Sequence, residues 1–231
     1  MTASDASPFL VIFDCDGTLI DSQHVICAAM DHAFETNGRP SPGREATLQI
    51  VGLSLFEAIH RLVPNEPPDV IRALGEAYKQ AFNRFRSEFA GREPLYPGAR
   101  DVVEALGQRN DVLLGIATGK SRRGVDHFLE RENFESLFAT IQTADSARSK
   151  PDPEMIEIAL QETGVQPSRA VMIGDTTYDI EMGNAGGVTT IGVSWGYHEP
   201  DALKEADADY IVTDYPDLAR LLDRLFKEPP E

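Results

Sequence analysis

Two carboxylates stand two residues apart in Phe13-Asp14-Cys15-Asp16-Gly17-Thr18-Leu19, at the end of the apolar run Phe9-Leu10-Val11-Ile12-Phe13. A short, continuous apolar run that stops at a glycine turn predicts a buried strand. Strand alternation puts Asp14 and Asp16 on one side if the extended geometry continues through Cys15. Buried charges at a strand end are costly unless a cation or hydrogen-bond donors compensate them. A metal ion beside a phosphate group would provide that compensation. Alone, the segment also suits an Asp-rich turn, since Asp and Gly favour turns.

Three later segments hold the other parts of such a site. Ile116-Ala117-Thr118-Gly119-Lys120 follows a predicted strand and precedes a predicted helix. Its Thr118 hydroxyl and nearby main-chain N–H groups suit either an anion or a simple helix cap. In Lys150-Pro151-Asp152-Pro153 the prolines mark a helix entry. A lysine there opposes the helix dipole, a placement easier to justify if its ammonium faces anions; the alternative is a solvated surface lysine. Gly174-Asp175-Thr176-Thr177-Tyr178-Asp179 follows a strand ending at Ile173, and strand carboxyl ends are where open α/β sheets bind ligands. Asp175 at that tip joins Asp14 and Asp16 as a candidate ligand for a hard cation. Asp179 stays near the same side if a helix begins between them, although a two-Asp helix cap accounts for it too.

The elements that must position these groups alternate from Pro97 onward. Strand patterns fall at 112–117, 138–141, 170–173, 189–193 and 210–212, and helical patterns at 98–109, 121–132, 153–163, 177–185 and 216–226. Strands alternating with helices imply a mostly parallel sheet covered on both faces. Residues 21–92 break the rhythm, with helical patterns at 22–36, 44–50, 54–62 and 69–89 and no convincing strand. A parallel crossover needs about a dozen residues, so this stretch reads as a helical module inserted after the first strand. Asp21-Ser22 reads as the cap of its first helix, and Pro94 and Pro97-Gly98 mark the return. Two linkers at one junction suit a hinge.

The chain has 231 residues, 42% of them hydrophobic, enough for a large domain with a smaller companion. A net charge of −17 argues against a nucleic-acid or anionic-membrane surface, both of which select basic patches. There are two cysteines, Cys15 and Cys27; one lies between the paired aspartates, so a reducing cytoplasmic compartment is expected. Neither a signal peptide nor a run long enough to span a membrane is evident.

Taken in order, Asp14-Cys15-Asp16-Gly17-Thr18, Thr118, Lys150 and Gly174-Asp175 through Asp179, continued by Gly183, Ala185 and Gly186, resemble the four motifs of the haloacid dehalogenase superfamily. Within it the chain is most similar to the phosphoglycolate-phosphatase-like subgroup with a helical cap. The resemblance implies an α/β fold with a doubly wound parallel-sheet core (1–20 and 93–231) and an inserted all-helical cap (21–92). It also implies a phosphomonoester hydrolase for a small phosphorylated metabolite. Asp14 would be the nucleophile and form an aspartyl-phosphate. Asp16 would be the acid/base, and Thr118 and Gly119 would hold the phosphoryl oxygens. Lys150 would offset negative charge. Mg²⁺ would be held by Asp14, the Asp16 main-chain carbonyl and Asp175, with Asp179 orienting them.

Haloalkanoate dehalogenases lack the second aspartate, so Asp16 favours phosphate chemistry. β-Phosphoglucomutases place a cap histidine where a gapless alignment puts Ile26; His24 is near but out of register. A phosphosugar mutase, a pyrophosphatase and a non-catalytic binding protein are the alternatives. Within the cap, Arg44, Gly52, Lys79 and Arg84 are candidates to face the substrate, the charged ones being equally describable as solvated helix-face residues. Gly52 sits in Val51-Gly52-Leu53-Ser54, similar to the family's cap specificity loop. Oligomeric state is not set by the sequence.

Overall fold

Residues 8–88 and 93–227 are described by the computed structural model. Strand β1 (Phe9–Phe13) buries all five side chains. Phe9, Val11 and Phe13 enter one apolar cluster, and Leu10 and Ile12 enter another. Such a strand is covered on both faces, as a central parallel strand must be. It pairs in parallel with β2 (Val112–Thr118) on one side and β4 (Ala170–Gly174) on the other. With β3 (Phe138–Thr143), β5 (Thr189–Val193) and β6 (Tyr210–Val212), the sheet has the order β3-β2-β1-β4-β5-β6. The chain therefore winds in opposite directions from β1, and the crevice at the carboxyl ends of β1, β2 and β4 is where such sheets bind ligands.

Helices α5 (Ala99–Gly107), α6 (Arg122–Glu132) and α10 (Tyr215–Lys227) cover one face through residues such as Val103, Phe128 and Leu222. On the other face lie α7 (Glu154–Thr163) and α8 (Thr177–Ala185), with Met155, Ile156 and Met182 in the core. A six-residue helix, α9 (Pro200–Glu205), follows β5; the sequence reading assigned nothing there. It buries only Leu203, so it carries no amphipathic period to detect. Strand β3 runs to Thr143, beyond the apolar stretch, because its polar end is satisfied internally. Gln142 Nε2 donates to Thr140 Oγ1 (3.0 Å) and to Glu162 Oε2 (2.9 Å).

Between β1 and α5 lie α1 (Gln23–Thr36), α2 (Arg44–Leu48), α3 (Leu55–Leu62) and α4 (Pro68–Glu88). They close around their own cluster, including Met30, Phe34, Ile59 and Leu74. The two connections run side by side: Asp21 N–H donates to Pro94 O (2.9 Å) and Tyr96 N–H to Leu19 O (3.0 Å). Ser22 does not cap α1 through its side chain. Its hydroxyl instead donates to Asp16 Oδ1 (2.6 Å), a tertiary bond that local sequence does not show. Among the described residues no helix is long and apolar enough to cross a membrane.

Candidate active site

Each polar segment picked out in the sequence arrives at the same crevice. Asp14 follows the last residue of β1 and is 1% exposed. Lys150, 1% exposed, places Nζ 2.9 Å from Asp14 Oδ1 and 2.5 Å from Asp179 Oδ1. This is charge pairing, yet neither Asp14 oxygen accepts a well-formed hydrogen bond within the described residues. Burial pushes the Asp14 carboxyl up to about 6, with the Lys150 charge opposing and the Asp179 charge adding to the rise. Burial likewise raises Asp175, reinforced by the Asp179 and Asp14 charges. Lys150 shifts upward although burial opposes its charge, because the two carboxylates outweigh that penalty.

Asp175 is held by two donors, Thr18 Oγ1 to Oδ1 (2.9 Å) and Tyr197 N–H to Oδ2 (2.9 Å). Asp179 Oδ2 receives the Thr176 N–H (3.0 Å) and hydroxyl (2.7 Å), forming a capping box that starts α8. Helix capping and site geometry are thus compatible roles for Asp179. Asp14, Asp175 and Asp179 each bring a carboxylate oxygen to within 4.8 Å of the others, all buried. Three buried carboxylates around one lysine leave negative charge uncompensated, which suits a hard, oxygen-seeking cation. The residues fit a divalent ion. Gly17 makes the approach of Asp175 possible: it has φ +91° and a Cβ there would fall 2.2 Å from Asp175 Oδ2.

Asp16 is held differently. Besides the Ser22 hydroxyl, it accepts from Lys120 Nζ at 2.8 Å (Oδ1) and 3.0 Å (Oδ2). Lys120 also lies 3.9 Å from Glu93 Oε1 and 5.2 Å from the Phe82 ring centre. Its charge is stabilised by Asp16 and Glu93 against the cost of burial. The sequence reading took Lys120 only as part of the Thr118 segment; a lysine two residues past a strand end is a weak signal without the fold. Thr118 is 1% exposed and does not cap α6. Ser121 does so, its Oγ accepting from Gly124 N–H (3.3 Å). The Thr118 side chain is therefore not spent on capping.

Asp14, Asp16, Thr118, Gly119 and Lys120 line a cavity of about 540 Å³. Its far wall comes from α1, α3 and α4, with Ile26, Met30, Phe56, Tyr78 and Phe82, and from the loop that carries Gly52. Of the four residues singled out in that segment, Gly52 and Lys79 line the cavity. Arg44 and Arg84 do not. Arg44 turns its guanidinium to Gln23 Oε1, and Arg84 Nε lies 3.7 Å from Glu88 Oε1. Two cavity arginines, Arg86 and Arg123, were not picked out from sequence.

The helical segment is docked on the sheet. A Cβ on Gly119 would fall 2.5 Å from both Gly52 O and Leu53 O, and Ser54 N–H donates to Ser149 Oγ (2.8 Å). Tyr178, in the first turn of α8, is buried among Met30, Phe34 and Ile59 and donates to Gln49 O (3.0 Å). His198 accepts from Thr177 N–H at Nδ1 (3.2 Å), which leaves Nε2 to donate to Gln49 O (3.3 Å). Behind Asp175, Trp195 Nε1 donates to Thr18 O (3.1 Å), and its ring lies 4.8 Å from that of Tyr215.

The family profile of the haloacid dehalogenase-like hydrolases matches residues 11–193. The chain belongs to this family. It is 33% identical over 221 residues to a phosphoglycolate phosphatase of Pseudomonas putida, covering 93% of this chain and 79% of that protein. It is 30% identical over 213 residues to the pyrophosphatase PpaX of Oceanobacillus iheyensis, covering 92% and 95%. A hydrolase from Pseudomonas syringae superposes with a TM-score of 0.83 at 25% identity, over 95% of this chain and 99% of that one. That superposition shows that the Pseudomonas syringae hydrolase shares the α/β architecture described above.

Proposed function

We propose that the protein is a Mg²⁺-dependent phosphomonoester hydrolase acting on a small phosphorylated metabolite through an aspartyl-phosphate. The observation that carries this reading is Asp14, buried yet lining the cavity, with the buried Lys150 ammonium 2.9 Å from one of its oxygens. A carboxylate so placed is poised as a nucleophile rather than spent on structure.

In this scheme an Asp14 oxygen attacks phosphorus, the bond to the leaving oxygen breaks, and the departing oxygen takes a proton from Asp16. Water, deprotonated by Asp16, then attacks the phosphorus of the aspartyl-phosphate and returns Asp14 with release of phosphate. Ser22 and Lys120 fix the Asp16 carboxylate on both oxygens. The Thr118 side chain and the main chain at Gly119 hold the phosphoryl oxygens. Lys150 keeps Asp14 and Asp179 apart from mutual repulsion. Bound by Asp14, Asp175 and the Asp16 carbonyl, Mg²⁺ would supply charge neutralisation between nucleophile and phosphate. Asp179 positions Lys150 and Thr176.

Residues 21–92 act in this reading as a lid over a core made of 1–20 and 93–231. The paired connections at Asp21–Pro94 and Leu19–Tyr96 suit a hinge, and the Gly52 loop is the part that meets Gly119. Closure would exclude water and limit substrate size. Phosphate release from p-nitrophenyl phosphate with Mg²⁺ tests the reaction, and a panel of 2-phosphoglycolate, sugar phosphates, nucleotides and pyrophosphate tests the substrate class. Full activity after exhaustive chelation overturns the metal dependence. Absence of turnover on the whole panel overturns the hydrolase reading.

A further inference from the structure

The wall of the cavity away from Asp14 carries positive charge on a chain whose net charge is −17. Lys120 is committed to Asp16, and Lys79 Nζ pairs with Glu76 Oε1 (2.8 Å). Arg86, from the last turn of α4, and Arg123, from the first turn of α6, make no ion pair among the described residues. The two helices belong to opposite sides of the cavity, one in the inserted segment and one on the sheet. Arg86 nonetheless reaches across toward α6: it and Arg131 are the charges that, after burial, hold His127 below its usual value.

Arg86 also complements the carbonyl end of its own helix. Arg123 has no such excuse. It stands at the N-terminal end of α6, where the helix dipole opposes a cation. Its neighbour Arg122 in the same turn is neutralised by Asp126 (2.7 Å). Asp145, the nearest-lying cavity carboxylate in sequence, spends Oδ2 on the Arg122 N–H (2.7 Å). Each guanidinium presents a planar fork that suits a carboxylate or phosphate, and both line the one cavity.

We infer that Arg86 and Arg123 bind a second anionic group of the substrate, so that the molecule hydrolysed is a phosphate monoester or anhydride bearing a further carboxylate or phosphate. This rests on the phosphatase reading of the same cavity. Because one arginine comes from each side, the second anion would also draw the helical segment and the sheet together.

The test uses the full-length protein and the variants Arg86→Gln, Arg123→Gln and the double variant, with 2-phosphoglycolate, pyrophosphate and ethyl phosphate. Leaving groups differ intrinsically, so the decisive quantity is the change in each kcat/KM ratio to ethyl phosphate upon substitution. The expected result is a fall of tenfold or more in the double variant, carried by KM. A fall for 2-phosphoglycolate alone assigns the site to a carboxylate, and for pyrophosphate alone to a phosphate. Unchanged ratios for both overturn the inference. Calorimetric binding in an Asp14→Asn background reads the same site without turnover. There 2-phosphoglycolate or pyrophosphate should bind at least tenfold more tightly than inorganic phosphate, and the double variant should erase that difference. Equal binding of all three anions overturns the inference even if hydrolysis is observed. A tenfold difference that the double variant erases upholds it even if hydrolysis is not.

Discussion

The carboxyl edge of the sheet and the helical segment above it are built on opposite terms. At the sheet edge Asp14, Lys150, Asp175 and Asp179 are all at most 1% exposed; Lys150 pairs directly with Asp14 and Asp179, and Thr18 and Tyr197 hold Asp175. In α4, a 21-residue helix, only Leu74, Gly75 and Ala81 are buried, and its cavity residues are long side chains reaching inward from a solvated surface. Removing the partner of a buried charge is costly, because the charge left behind has no water to turn to. Half-exposed cations are replaceable one at a time. Chemistry on this scaffold is therefore rigid, and recognition adjustable.

The sharpest break in that contrast is Asp14→Asn. Phosphate release should fall below about one-thousandth of the parent, while the melting temperature holds or rises because a buried charge is removed. Retention of activity within tenfold would remove Asp14 from the nucleophile role. Lys150→Met comes next. It strands two buried carboxylates, and denaturant unfolding should show a loss of about 3–5 kcal/mol, the cost of breaking a buried pair. No comparable loss is expected from Lys79→Met, whose Nζ sits at the surface against Glu76.

Gly119→Ala strikes the contact between the two regions. Its Cβ would meet the carbonyl oxygens of Gly52 and Leu53, so the helical segment must shift. A fall of about tenfold to a hundredfold in kcat/KM is expected, as for misplaced catalytic geometry, with little change in fold stability. Unaltered kinetics would show that this approach is incidental.

The smallest effect is in pH dependence. The Asp14 carboxyl titrates near 6 when folded, against 3.8 as the ordinary value, and Asp175 is shifted the same way. A raised folded-state pKa means the folded protein binds protons more tightly than the unfolded chain. Metal-free protein should therefore gain stability as pH falls through about 6 toward 4, and lose it as pH rises again. Thermal melts at pH 5.5 and 7.5 check the sign. Saturating Mg²⁺ or the Asp14→Asn substitution should shrink the difference; an unchanged difference would separate it from the acidic cluster.

The same contrast explains what the sequence revealed. The strands β1, β4 and β5 were legible to within a residue because buried parallel strands are unbroken apolar runs. Asp14 and Asp175 were legible because charged residues at the tips of such runs are anomalous, and Lys150 because a cation at a helix entry opposes the helix dipole. In α4, Arg84 and Arg86 are two residues apart on a polar helix, and which one faces the cavity depends on the angle at which the helix docks. That angle is tertiary information. Lys120 gave a weak local signal because its partner, Asp16, is 104 positions away, and Ser22 because it reads as a helix cap while its hydroxyl turns back to Asp16. Arg123 carries no local signal either, because its helix lies on the sheet and only the fold brings it to the cavity.

Trp195 is the only tryptophan in the chain. Its indole N–H rests on the Thr18 carbonyl, and the hydroxyl of the same Thr18 holds Asp175. A fluorophore is thus wired, one residue removed, to the acidic cluster. Emission on excitation of the indole would report changes at the cluster in the unmodified protein, giving an optical titration of divalent ions that needs neither label nor turnover.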